Sequence, residues 1–137
     1  MPLSRRTFLI AGCAFGCGMP DVQQLPNTID GGNASGVQQG SLRAVSGFPV
    51  AIGRDQNGVY ALSLICTHEG CDMSRDGSVS ASLIDCACHG SLFDGQGNVL
   101  RGPASSPLDH FVVTADVSGE LTIHTDQTTP SSTRLPA

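Results

Sequence analysis

The chain is 137 residues long, carries a formal net charge of −5 and contains no lysine. That length supports one domain with a modest core, and the scarcity of cations argues against nucleic-acid binding, which needs clustered Lys or Arg to neutralise phosphates. With no tryptophan, 17 glycines and six cysteines, the composition suits a loop-rich β domain held by bridges, a metal or both.

Residues 4–10 read SRRTFLI and lead into the small and apolar AGCAFGCGM. A charged start followed by a short apolar run is the layout of an export signal. The run from Thr7 to Met19 is too short to span a bilayer as a helix, so no transmembrane helix is expected. Arg5 and Arg6, with Phe8 after them, resemble a twin-arginine signal, and residues 1–19 are assigned to it. Ile10-Ala11-Gly12-Cys13 also resembles the box ahead of a lipidated cysteine, with Cys17 as a second candidate. Either outcome puts the protein outside the bacterial cytoplasm, at the outer face of the membrane or in the periplasm, where disulfides persist. A lipid on Cys13 would add a peripheral membrane tether.

Residues 20–40, PDVQQLPNTIDGGNASGVQQG, are polar and glycine-rich and read as a flexible linker. From Ser41 the pattern changes. SLRAV, FPVAIGR and GVYALSLIC are β-branched and apolar runs broken by Gly, Pro and Asn, and they read as strands. RDGSVSASLIDC predicts a hairpin turning at Asp76-Gly77 and returning through Val79 to Ile84. DGQGNVLRG predicts a turn at Gly95–Gly97 followed by a short strand. HFVVTADVSGELTIHT predicts a hairpin around Ser118-Gly119. The tail 125–137 is polar, holds two prolines and reads as loose. No window shows sustained helical periodicity, and there is no internal repeat. The ordered domain is therefore 41–124 and all-β. Cleaved near residue 18, the chain keeps five arginines against twelve acids, a surface that suits a basic partner or simply a solvated acidic face.

The chemistry lies in CTHEGC (66–71) and CACHGS (86–91), which together hold four of the cysteines and two histidines. Cys66-x-His68 precedes Cys86-x-x-His89 by seventeen residues. A structural zinc site could take two Cys and two His, although zinc fingers usually pair cysteines on one arm and histidines on the other. A disulfide-only reading uses all four cysteines but leaves the mirrored Cys–His pairing without a reason. A two-iron, two-sulfur cluster, with both cysteines on one iron and both histidines on the other, accounts for that pairing. Its oxidised form, with two ferric ions, two sulfides and two thiolates, is neutral. The four-thiolate form would be a dianion, so exchanging thiolates for imidazoles makes an added electron less costly.

CTHEGC, CACHGSLFDGQG and RGPASSPL together resemble the Rieske iron–sulfur domain, over about residues 45–124. The resemblance implies a Rieske-type antiparallel β-sandwich with a small cluster-binding lobe, and one 2Fe-2S cluster. It implies Cys66 and Cys86 as ligands of one iron and His68 and His89 as ligands of the other. It also implies a disulfide between Cys71 and Cys88, as in cytochrome bc-type members, and a hydroxyl from Ser91 donated to a cluster sulfide. Gly102-Pro103-Ala104 matches the proline loop that covers the cluster. Phe93 stands where many high-potential members have a tyrosine donor, which implies a potential in the middle of the family range. Glu69 stands where quinol-oxidising members typically have leucine, and a carboxylate there resists apolar docking. His110 and His124 lie outside the motif and read as packing or surface residues.

The function expected is one-electron transfer through the His68–His89 edge, without a substrate pocket. It would be carried out by an exported soluble or lipid-tethered carrier or by a small oxidoreductase subunit. The redox partner implied is a cytochrome or the large subunit of a molybdenum enzyme. The rival reading is the iron–sulfur subunit of a quinol:cytochrome c or arsenite-oxidase-like complex.

Overall fold

A computed structural model describes residues 24–137. The signal-like stretch with Arg5, Arg6, Cys13 and Cys17 lies outside them. Among the described residues ten strands form two antiparallel sheets. The larger holds β1 (Thr28–Asn33), β2 (Ser41–Ala44), β3 (Val50–Asp55), β4 (Gly58–Ser63), β9 (His110–Ala115) and β10 (Glu120–Thr129), in the order β1-β10-β9-β4-β3-β2. The smaller holds β5 (Gly77–Val79), β6 (Leu83–Cys86), β7 (Leu92–Asp94) and β8 (Val99–Arg101), in sequence order. Among the described residues no helix is long and apolar enough to cross a membrane.

Strands β3 and β4 explain the architecture. Side chains alternate across a strand, and here both faces are buried. Val50, Ile52, Val59 and Ala61 join Ile29, Phe111, Leu121 and Ile123 in a core enclosed by the curled six-stranded sheet. Ala51, Tyr60 and Leu62 point the other way, to a second core shared with Met73, Ile84, Phe93 and Leu108 of the small lobe. Cys66 and Cys86 belong to that second core, so the site is built on packed side chains.

Three elements differ from the expectations. The stretch read as a linker holds β1, paired with β10 from Thr28↔His124 to Asn33↔Glu120. Its inward positions are Ile29 and Gly31. A Cβ on Gly31 would stand 3.1 Å from both Ile52 Cδ1 and Leu121 Cβ, so the inner face needs glycine where an alternation test looks for an apolar residue. The tail is fastened rather than loose. β10 runs on to Thr129, and Leu135 exchanges backbone hydrogen bonds with Val59 (2.8 and 2.9 Å) on an edge of β4 where β9 pairs only with Ala61 and Leu62. Arg134 donates to Asp55 at 2.7 Å and lies 4.4 Å from the Tyr60 ring centroid. Finally, the β5–β6 hairpin turns at Ser80–Ser82, while Gly77 lies inside β5 opposite Cys86.

His110 is a packing residue, stacked on Tyr60 with ring centroids 5.8 Å apart and Nε2 at 2.7 Å from the Gln96 carbonyl. Burial pushes its pKa below the usual 6.5, and the Gln96 carbonyl, which favours the charged ring, does not offset this. A histidine depressed in the folded state contributes stability above its unfolded pKa and loses it as the pH falls. The urea midpoint should therefore drop on acidification from about pH 6.5 downward. His110→Gln should flatten that part of the profile.

Candidate metal centre

The two motif loops close in the same way. In the first, the Gly70 N–H donates to the Cys66 carbonyl (2.9 Å) and the Cys66 N–H to the Cys71 carbonyl (2.8 Å). In the second, the Gly90 N–H donates to the Cys86 carbonyl (3.0 Å) and the Cys86 N–H to the Ser91 carbonyl (2.9 Å). Gly70 (φ +77) and Gly90 (φ +82) both adopt the left-handed conformation that glycine reaches without strain. CTHEGC and CACHGS are thus one hexapeptide turn used twice, aligned Cys66 on Cys86 and Gly70 on Gly90. The residues missed at the level of sequence are these two glycines. Their signal was Cys-x-x-x-Gly appearing in both motifs.

This doubled turn sets Cys66 beside Cys86 and His68 against His89. Cys66 and Cys86 are free thiols, 2% and 1% exposed. Burial pushes the Cys86 thiol up, the neighbouring Cys66 adds to this, and the backbone N–H groups of Cys88 and His89 only partly counter it. The His68 and His89 rings meet edge to face at 4.9 Å. His68 Nδ1 is buried with no hydrogen-bond partner among the described residues, a polar atom that its surroundings leave unsatisfied. Thiols lie on the inner side and imidazoles on the outer. Glu69 places its carboxylate 3.5 Å from His89 Nε2 and is 61% exposed.

A disulfide joins Cys71 to Cys88 and so ties one loop to the other. A covering segment is fastened across both. Arg101 Nε donates to the Gly90 carbonyl (3.1 Å), the Ala104 N–H to Ser91 Oγ (2.9 Å), and Thr67 Oγ1 to the Ser106 carbonyl (2.6 Å). Ser91 is fully buried, and since its oxygen accepts from Ala104 its own proton remains available to donate. Phe93, also fully buried, packs in the core that contains both thiols. His124 lies apart on β10, at 2.8 Å from Thr114 Oγ1.

Two adjoining thiols, two imidazoles and a partnerless buried ring nitrogen fit a metal group that takes two sulfur and two nitrogen ligands. A tetrahedral zinc ion and a mixed-ligand 2Fe-2S cluster share that donor set, and relatives distinguish them. Of the curated relatives, the "Cytochrome b6-f complex iron-sulfur subunit" of Trichodesmium erythraeum (strain IMS101) is 42% identical over 66 residues, 48% of this chain and 35% of its own. The protein of the same description from Synechococcus sp. (strain JA-2-3B'a(2-13)) is 38% identical over 80 residues, 57% of this chain and 44% of its own. The chain thus spans between a third and a half of the length of these relatives. A chain in the solved complex of reduced oxygenase and oxidised ferredoxin of carbazole 1,9a-dioxygenase superposes with a TM-score of 0.53 at 27% identity, over 76% of this chain and 97% of that one. A family model for the Rieske [2Fe-2S] domain matches residues 29–113, from the first residues of β1 through most of β9, and encloses both motif loops. On that match, and with a donor set that fits one such cluster, the chain belongs to the Rieske [2Fe-2S] domain family.

Proposed function

We propose that Cys66 and Cys86 hold one iron of the cluster and His68 and His89 the other, and that the domain passes single electrons to a redox protein across the His68–His89 edge. The observation that carries this is the segregation of donors, with thiols sealed in the core and imidazoles meeting at the surface. When bound, the cluster supplies a site that takes up and releases one electron. The chain supplies the rest. Cys66 and Cys86 exclude water from the inner side, Ser91 offers a proton from beneath the covering segment, and the disulfide holds the two loops in register.

The curated relatives favour a partner of the kind found in cytochrome b6-f complexes, with this domain as the electron-carrying subunit. Glu69 sets a condition on that partner. A carboxylate at the edge is costly to bury unpaired, so the docking surface opposite it offers a cation or hydrogen-bond donors. Export by the twin-arginine-like signal and a lipid on Cys13 belong to the same proposal, and fractionation with a mass measurement of the mature N-terminus tests them. The ligand assignment is tested on natively purified protein. Two irons and two labile sulfides per chain are expected, with an EPR signal on reduction that His89→Ser abolishes. A colourless protein holding zinc would overturn it.

Phe93→Tyr tests the tuning. A hydroxyl donated to a ligand sulfur favours the more negative, reduced state. One such bond is worth about 1 kcal/mol, which is ~40 mV for one electron. The midpoint potential should rise by that order in film voltammetry, and an unchanged value would show that the position does not reach the sulfur.

A further inference from the structure

The sulfurs of Cys71, Cys86 and Cys88 all lie within 4.8 Å of one another, although only Cys71 and Cys88 are bonded. Cys86 is a free thiol. A thiol beside a disulfide is the reactant pair of thiol–disulfide exchange, and exchange needs no external oxidant. Cys66, the other free thiol among the described residues, is not in this group. We propose that Cys86 and the Cys71–Cys88 bridge form an exchange centre that is silent while Cys86 is bound to iron and active once the cluster is lost. The inference rests on Cys86 being a ligand.

The step balances within the chain. The Cys86 thiolate attacks the Cys71 sulfur, the Cys71–Cys88 bond breaks, and Cys88 leaves as a thiolate that takes up the proton lost by Cys86. One S–S bond forms and one breaks, with no net oxidation. Two features select Cys71 as the sulfur attacked. Bridging Cys86 to Cys88, two residues away, would close a very small ring. Cys88 also lines an open groove with Arg75, Asp76 and Asp85, where water can solvate the departing thiolate. The product lacks a cluster ligand. In an oxidising compartment this delays reloading, because Cys86 is freed only by the reverse attack of Cys88 or by a reductant.

The test follows disulfide connectivity rather than electron transfer. Iron is removed from purified protein with a chelator under argon, without added thiol or disulfide. After incubation at mildly alkaline pH, free thiols are alkylated and the bridges mapped by mass spectrometry. The majority of cluster-free chains should carry Cys71–Cys86, with Cys88 alkylated. Reconstitution with iron and sulfide should be slow without dithiothreitol and rapid after it. Cys66→Ser, which also lacks a cluster but keeps Cys86, should rearrange in the same way, whereas Cys86→Ser should keep Cys71–Cys88. Retention of Cys71–Cys88 in both cluster-free parent and Cys66→Ser, with Cys86 alkylated, overturns the exchange and leaves the ligand assignment standing. Alkylation of Cys86 in iron-replete protein with its spectrum intact overturns the ligand assignment, and with it the protection.

Discussion

Gly77→Ala is expected to cost the small lobe about 3 kcal/mol, the upper end of what overpacking costs, and to deplete the protein of iron as purified. A Cβ at this position would stand 2.1 Å from the Asp85 carbonyl oxygen and 3.0 Å from that of Met73. Both neighbours are backbone, so no side-chain rotation relieves the overlap. Gly77 also pairs directly with Cys86 in the β5–β6 ladder, and Ser78 with Asp85. The displacement would pass straight into the strand that ends at a proposed ligand. Against a total stability of about 5–15 kcal/mol for a domain of this kind, the loss is large. Gly36→Ala is the matched control. Nothing lies within 4 Å of a Cβ there, and its effect should stay within about 0.5 kcal/mol, as for other surface changes. Thermal unfolding and iron content of the two variants, measured side by side, check both. Equal behaviour would mean that β5 can move away from β6 without strain.

The same glycine shows why parts of the fold were hard to read from residues alone. Asp76-Gly77 looks like a hairpin turn because turn statistics see only the dipeptide. Its actual role is close approach to a carbonyl eight residues further on, and local propensity carries no information about that. Gly31 hides β1 for a related reason, since Ile52 and Leu121 fill the space that its own side chain would take. The tail is held by Arg134 on Asp55 and Tyr60, and by Leu135 on Val59, partners more than seventy residues away in a chain whose last stretch is polar. The motif loops were readable because their determinants are local. Cysteine and histidine fall within a few residues of one another, and the glycine that closes each turn follows four residues after the cysteine. β3, β4, β9 and the first half of β10 are readable because each is a short run rich in β-branched and apolar residues bounded by turn residues. Glu69 stands out by its charge, but the 3.5 Å approach of its carboxylate to His89 depends on how the two loops meet.

The double variant Cys71→Ser/Cys88→Ser should lose about 3 kcal/mol of stability and release its iron to a chelator sooner than the parent outside reducing conditions. The bridge closes a segment with a sequence separation of 17, and a loop of about that length limits the unfolded chain by roughly 3 kcal/mol in the loop-entropy account. The loss should be local in its effect. β1, β9 and β10 meet the enclosed core through their own pairings, whereas the two motif loops meet through the disulfide and through the contacts of His68 and Glu69 with His89. Chelator kinetics separate this from a general weakening. In dithiothreitol, parent and double variant should release iron at the same rate; without it the parent alone should be slow. Equal rates under both conditions would mean that the covering segment, bonded to Gly90, Ser91 and Thr67, holds the loops without the bridge. The double variant also removes the sulfur that Cys86 would attack. Once stripped of iron it should accept a new cluster at the same rate with or without reductant, so the bridge that lengthens the cluster's residence is also what slows its return.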